Sequence, residues 1–172
     1  MDSRLIFQNI IRFILLILFQ ILVLNNISFG GYAIPFLYIL AILMLPVGIG
    51  NIPMLIIAFC TGLCIDLFSN MLGFHAFSCT LIAFCRILFA DRILTRDEKI
   101  TIDTPSIYAT KPQYYIAFSI LLTAIFFLSY FLIELFDSHN LWRLLLTTVL
   151  STLLTCSLMY VYQLIFIKKK NK

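Results

Sequence analysis

The sequence predicts an all-α integral membrane fold, a six-helix transmembrane bundle, and three observations predict it. Apolar residues make up 62% of the 172, and charged residues only 12%. A soluble domain carries about 25% charge to cover its surface, so most of this chain's outer surface is expected to face lipid. The chain also divides into six apolar runs near the length of about 20 residues that crosses a hydrocarbon core of roughly 30 Å. Finally, its lysines and arginines gather at alternate ends of those runs, which is how a membrane protein sets its orientation.

The expected spans, within one polytopic domain covering residues 1–172, are 5–24, 32–47, 53–69, 74–90, 114–136 and 141–167. Asn25, Asn26, Gly30 and Gly31 end the first. Pro46, Gly48, Gly50, Asn51 and Pro53 make a tight turn between the second and third. Asn70 and Gly73 separate the third from the fourth. Residues 137–140 separate the last two, with Asp137 or Ser138 as an N-cap. Spans 2 to 4 are short, so they either form hairpins that barely cross or include a re-entrant segment. Arg4 and Arg12 precede an apolar run from Phe13 to Leu24, and no small-x-small cleavage site follows it. It therefore reads as an uncleaved first helix.

The one long polar loop, 91–113, mixes Arg92, Arg96, Asp97, Glu98, Lys99, Asp103 and Lys111. It is a candidate docking element or a solvated linker. Six crossings put the N-terminus, this loop and the C-terminal Lys168, Lys169, Lys170 and Lys172 on one side, with only Arg143 on the other. A translocated Lys or Arg is disfavoured, so the basic side is expected in the cytoplasm, with the chain in a bacterial inner membrane. The net charge of +4 follows this distribution, and nucleic acid is not an expected partner. The five cysteines, Cys60, Cys64, Cys79, Cys85 and Cys156, lie in apolar runs without a CxxC spacing and read as small packing residues. His75 and His139 are isolated from other ligands in the sequence. No hydrolase, P-loop, zincin or dinucleotide motif occurs, and no metal or cofactor is expected.

A charge within a span costs about 2.5 to 3.5 kcal/mol, so each one is a candidate functional residue. Asp66 lies near the end of span 3, with Gly62 one turn before it on the same face. A glycine there lets a second helix approach closely. Asp66 is expected to fix the turn between spans 3 and 4, to meet a partner helix, to reach the outer interface, or to cap the start of span 4. Arg86 either reaches the cytoplasmic interface with its long stem or pairs inside the bundle. Glu134, at the end of span 5, is expected to pair locally with Arg143, close to Asp137. Arg4, Gln8 and Arg12 share one face of the first helix. Thr147, Ser151 and Thr155 share one face of the last, with Thr148 and Thr152 beside it, as helices that pack closely and bond to one another do.

The stretch 41–89 carries a pattern of residues at fixed spacing. It contains Gly62-Leu63-x-x-Asp66 and, seven residues after Asp66, Leu72-Gly73-x-x-Ala76, followed by an apolar helix that reaches Arg86. This resembles the rod shape-determining protein MreD family. The intervening Ser69-Asn70-Met71-Leu72 lacks the glycine often found after the serine. The resemblance implies a fold similar to the substrate-binding subunits of energy-coupling-factor vitamin transporters. It implies a scaffold role in the bacterial cell-elongation (rod) complex, helping regulate cell shape and lateral peptidoglycan synthesis. The implied partner is MreC, a single-span protein, with MreB, RodA, RodZ and a penicillin-binding transpeptidase as further partners. Gly62, Asp66 and Gly73 match the family's motif positions.

Three classes of function remain to be weighed. A non-enzymatic scaffold explains the small-residue faces and the lone carboxylate. A membrane-embedded receptor for a vitamin-like small molecule is the alternative, but span 1 has no Ala or Gly with which to dock an energising partner as such subunits do. A small membrane enzyme is the third. On the first reading, Gly62→Leu is expected to weaken partner capture while leaving the bundle folded.

Overall fold

The computed structural model describes residues 3–26, 33–46, 48–71, 73–93, 105–106, 108, 112–134 and 141–166. Among them the protein is all-helical. It contains α1 (Ser3–Leu22), a 3₁₀ turn (Leu24–Asn26), α2 (Ile39–Leu43), α3 (Asn51–Ser69), α4 (Phe74–Ile93), α5 (Pro112–Glu134) and α6 (Leu141–Phe166). The loop 94–111 apart from 105, 106 and 108, the turn at Asp137, and the C-terminal lysines fall outside the described residues.

Three helices are long and apolar enough to cross a membrane: α3, α5 and α6, of 19, 23 and 26 residues. At 1.5 Å per residue each matches or exceeds a hydrocarbon core of roughly 30 Å. In α1 and α4 the apolar stretch is shorter, Asn9–Leu22 and Phe74–Phe89, because polar residues occupy one end of each. The outer faces of these helices expose large apolar side chains, among them Ile14, Leu18, Ile52, Leu67, Phe84, Leu128, Leu153 and Leu164. On a soluble protein these would form an aggregating surface; against lipid they are solvated.

The hairpin of α3 on α4 is the most closely packed pair, followed by α5 on α6 and α4 on α5. Local chemistry sets the ends of α3. Gly50 precedes it in an extended conformation, and Pro53 sits in its first turn, where a missing N–H costs nothing. Asn70 ends it in the left-handed conformation with φ 53°. Asparagine is one of the few side chains that tolerates this state. Pro112 opens α5 in the same manner as a first-turn proline.

The second expected span departs most from the sequence reading. Helix forms over only five residues, Ile39–Leu43, within the expected 32–47. Pro35 is the reason. It disfavours helical backbone at Ile34 and offers no N–H of its own, so the chain is non-helical from Ile34 to Phe36 and turns at Leu37 and Tyr38. Every residue from 35 to 46 is buried, so this segment is a strut inside the bundle and not a lipid-facing helix. It forms the centre of the core with Leu16, Met54, Ala58, Ile65, Cys79, Ile82, Phe126 and Phe127.

Candidate functional site

Non-helical backbone at membrane depth must have its polar groups satisfied by protein, and the residues that satisfy the strut define the polar interior. Gln20 of α1 is fully buried. Its Oε1 accepts from the Leu37 N–H at 2.9 Å, and its Nε2 donates to the Pro35 carbonyl at 3.1 Å. The same amide nitrogen lies 3.0 Å from Asn25 Oδ1, and Asn25 Nδ2 donates to Ser69 Oγ at 3.0 Å. Opposite, Ser151 Oγ accepts from Ile34 N–H at 3.1 Å, and Thr155 Oγ1 from Phe36 N–H at 3.2 Å. The hydroxyl face of α6, expected to bond a helix, bonds non-helical backbone instead. The sequence reading missed Gln20. The available signal was a single amide side chain within an apolar run, where a polar group needs a partner. Replacing Gln20 by Leu leaves a buried N–H and a buried carbonyl without partners. Its expected cost is about 2 kcal/mol, read as a lower melting temperature in detergent.

Asp66 is 2% exposed. Its Oδ1 accepts from the His75 N–H at 3.0 Å and its Oδ2 from the Ala76 N–H at 2.8 Å, both in the first turn of α4. Its own carbonyl accepts from the N–H groups of Asn70 and Met71. One residue thus closes α3 and caps α4. Of the readings left open by the sequence, the turn-fixing cap is the one this geometry matches. Gly62 lies on the same α3 face, against the same turn. A Cβ on it would fall 2.4 Å from Ala76 Cα and 2.5 Å from the His75 carbonyl oxygen. Gly62 therefore admits α4 of the same chain, and its face is already occupied. Gly73 has φ 87°, a backbone state that favours glycine, and it starts the turn that presents these two N–H groups.

Arg86 is 3% exposed and does not reach the interface. Its guanidinium donates to the Leu45 carbonyl, at the exit of the strut, and to Met54 Sδ at 2.8 Å. Glu134, the last residue of α5, is exposed. The structure does not bring Glu134 or Arg86 to Asp66, so the five candidate residues form one tight group, Gly62, Asp66 and Gly73, and two separate positions. His75, isolated in the sequence, is buried and bonded. Its Nδ1 lies 2.7 Å from the Tyr38 hydroxyl, and its ring packs edge-on to Phe36 at 4.8 Å and beside Tyr130 at 4.8 Å. Cys79 Sγ donates to the same hydroxyl at 3.7 Å. Among the described residues, no three of His, Cys, Asp and Glu group as metal ligands.

Two further polar pairs tie the helices. Ser78 and Ser129 join α4 to α5 at 2.9 Å, and Gln163 of α6 donates to the Tyr115 hydroxyl of α5 at 2.8 Å. A cavity of about 470 Å³ opens beside the exit of the strut, where Asn9, Arg12 and Phe13 of α1 face Met44, Leu45 and Ile57. Set against protein-family models, curated proteins and solved structures, the chain matches none of them.

Proposed function

We propose that this chain is a non-enzymatic inner-membrane scaffold of the bacterial cell-elongation complex, in the role of the MreD family, holding an MreC-like single-span protein. The observation that supports this most is that the residues carrying the resemblance act as one structural unit. Gly62, Asp66, Gly73 and Ala76 lock α3 to α4 through two bonds from backbone N–H groups to the Asp66 carboxylate and one close approach. The buried polar groups Gln20, Ser151, Thr155 and Arg86 likewise bind the chain's own backbone. A bundle whose polar interior is committed to its own shape is suited to presenting rigid outer faces. The Lys and Arg bias of the sequence supports a cytoplasmic side for both termini.

Since α4 occupies the Gly62 face, a partner helix must use another. The outward face of α3 carries Ile52, Ile56, Phe59, Leu63 and Leu67, all exposed. Their spacing of four, three, four and four residues is close to the seam of a helix pair. The test is mild detergent extraction of the tagged full chain with identification and quantification of what accompanies it. A single-span protein with a large outer domain is expected in stoichiometric yield. Phe59→Ala combined with Leu63→Ala is expected to lower that yield about tenfold, the equivalent of about 1.4 kcal/mol, without changing the melting temperature. Absence of any such companion from cells that express it, with the bundle intact, overturns the proposal.

A further inference from the structure

Two arginines, Arg12 of α1 and Arg86 of α4, approach the same part of the bundle. Arg86 is buried, and its contacts are a carbonyl and a thioether. Arg12, half-buried in α1, donates to Asn9 Oδ1 at 2.8 Å. Among the described residues, neither guanidinium meets a carboxylate. Both lie within electrostatic reach of the same Tyr115 hydroxyl, so their fields add in one region. A guanidinium out of water without a counter-charge is costly, and it has five N–H donors to satisfy.

Arg12 lines the cavity directly, and Arg86 adjoins it through Leu45. Leu45 connects them, since its carbonyl takes Arg86 and its residue lines the wall that Arg12 also lines. At about 470 Å³ the cavity falls within the range of about 300–1,000 Å³ that holds small ligands. Its remaining wall is apolar, with Phe13, Met44 and Ile57 among its residues. Ile10, also in the wall, is 51% exposed, so one edge of the cavity adjoins the apolar outer face of α1. An apolar slot beside that face, with one cationic fork and one amide at its edge, matches an amphiphile with an anionic head.

We propose that this cavity seats an acyl chain of an anionic phospholipid whose phosphate is held by the Arg12 guanidinium and the Asn9 amide. The planar fork of Arg12 suits two phosphate oxygens. The uncompensated charge of Arg86 behind the wall favours a lipid with net negative charge over a zwitterionic one.

The purified full chain in detergent is titrated with phosphatidylglycerol and, separately, with phosphatidylcholine of the same acyl chains. Native mass spectrometry counts retained lipid, and thermal unfolding follows stability. One phosphatidylglycerol is expected to bind about tenfold more tightly than phosphatidylcholine, as a close charge pair supports. Arg12→Gln is expected to erase that preference, and Arg12→Lys to keep most of it. Lys170→Gln, which removes the same charge from the C-terminal segment, leaves it intact. Ile49→Trp, which fills the cavity from its wall, is expected to abolish retention of both lipids. Equal binding of the two lipids by the wild-type chain overturns the proposal. So does an Arg12→Gln chain with undiminished preference, competition by inorganic phosphate alone, or a stoichiometric water-soluble metabolite in the pure protein. Should Arg12→Gln fail to fold, the wild-type comparison and the phosphate competition decide the matter.

Discussion

Gly62→Leu is expected to prevent the bundle from assembling. A side chain there begins with a Cβ that would lie 2.4 Å from Ala76 Cα, 2.5 Å from the His75 carbonyl oxygen and 2.6 Å from the Ala76 nitrogen. All three are backbone atoms of α4, so no rotamer change relieves the overlap. Extra volume in a well-packed core costs about 1–3 kcal/mol when side chains can yield. Here the helix itself must move, and the movement would also pull His75 and Ala76 away from Asp66. Even Gly62→Ala is expected to lower stability by about 3 kcal/mol, at the upper end of that range. Gly48→Ala is the control, because a Cβ there meets nothing within 4 Å. Size-exclusion profile and melting temperature in detergent decide it. A Gly62→Leu chain that elutes and melts like the wild type refutes the close approach. This expectation replaces the one drawn from the sequence, in which the same substitution spared the bundle and weakened only partner capture.

Asp66→Asn is the second large effect, expected to cost about 3 kcal/mol. Two acceptor oxygens serve two N–H donors. An amide supplies one oxygen and turns its nitrogen, itself a donor, toward the remaining N–H. A buried donor without a partner costs about 1–3 kcal/mol, and the lost bonds to a charged acceptor add a similar amount. For a chain of this length, each kcal/mol shifts the melting temperature by about 2–4 °C, so a fall of several degrees is expected. The local signature is faster hydrogen exchange at the amides of His75 and Ala76, with the amides in the middle of α6 unchanged. Equal protection of those two amides in variant and wild type would show that the cap does not operate.

These two effects were partly legible in the sequence because their causes are local. Gly62, Asp66 and Gly73 lie within one helical hairpin, and helical periodicity alone puts Gly62 and Asp66 on one face. The turn residues between them read directly as a break. What periodicity could not say was which helix fills the space over Gly62. A glycine face invites a neighbour equally well from the same chain or from another.

Arg86 shows the opposite case. Its position in α4 allowed either a reach to the interface or a buried bond, and the choice depends on Leu45, 41 residues earlier. Gln20, Ser151 and Thr155 converge on one short strut from positions 15 to 119 residues apart from their partners in sequence. No local pattern links them. The strut itself was legible in part, since Pro35 stands inside the run that was counted as a span.

By itself, the sequence determined that most of this chain's surface is apolar and that its long helices α3, α5 and α6 are able to cross a bilayer. Composition and run length fix this, because each residue's transfer to lipid is nearly independent of its neighbours. The tertiary structure alone decided that one apolar run becomes a buried strut, and which distant amides, hydroxyls and guanidinium satisfy it. That outcome rests on hydrogen bonds, which need a donor and an acceptor within about 3 Å and so exist only once the helices are in place.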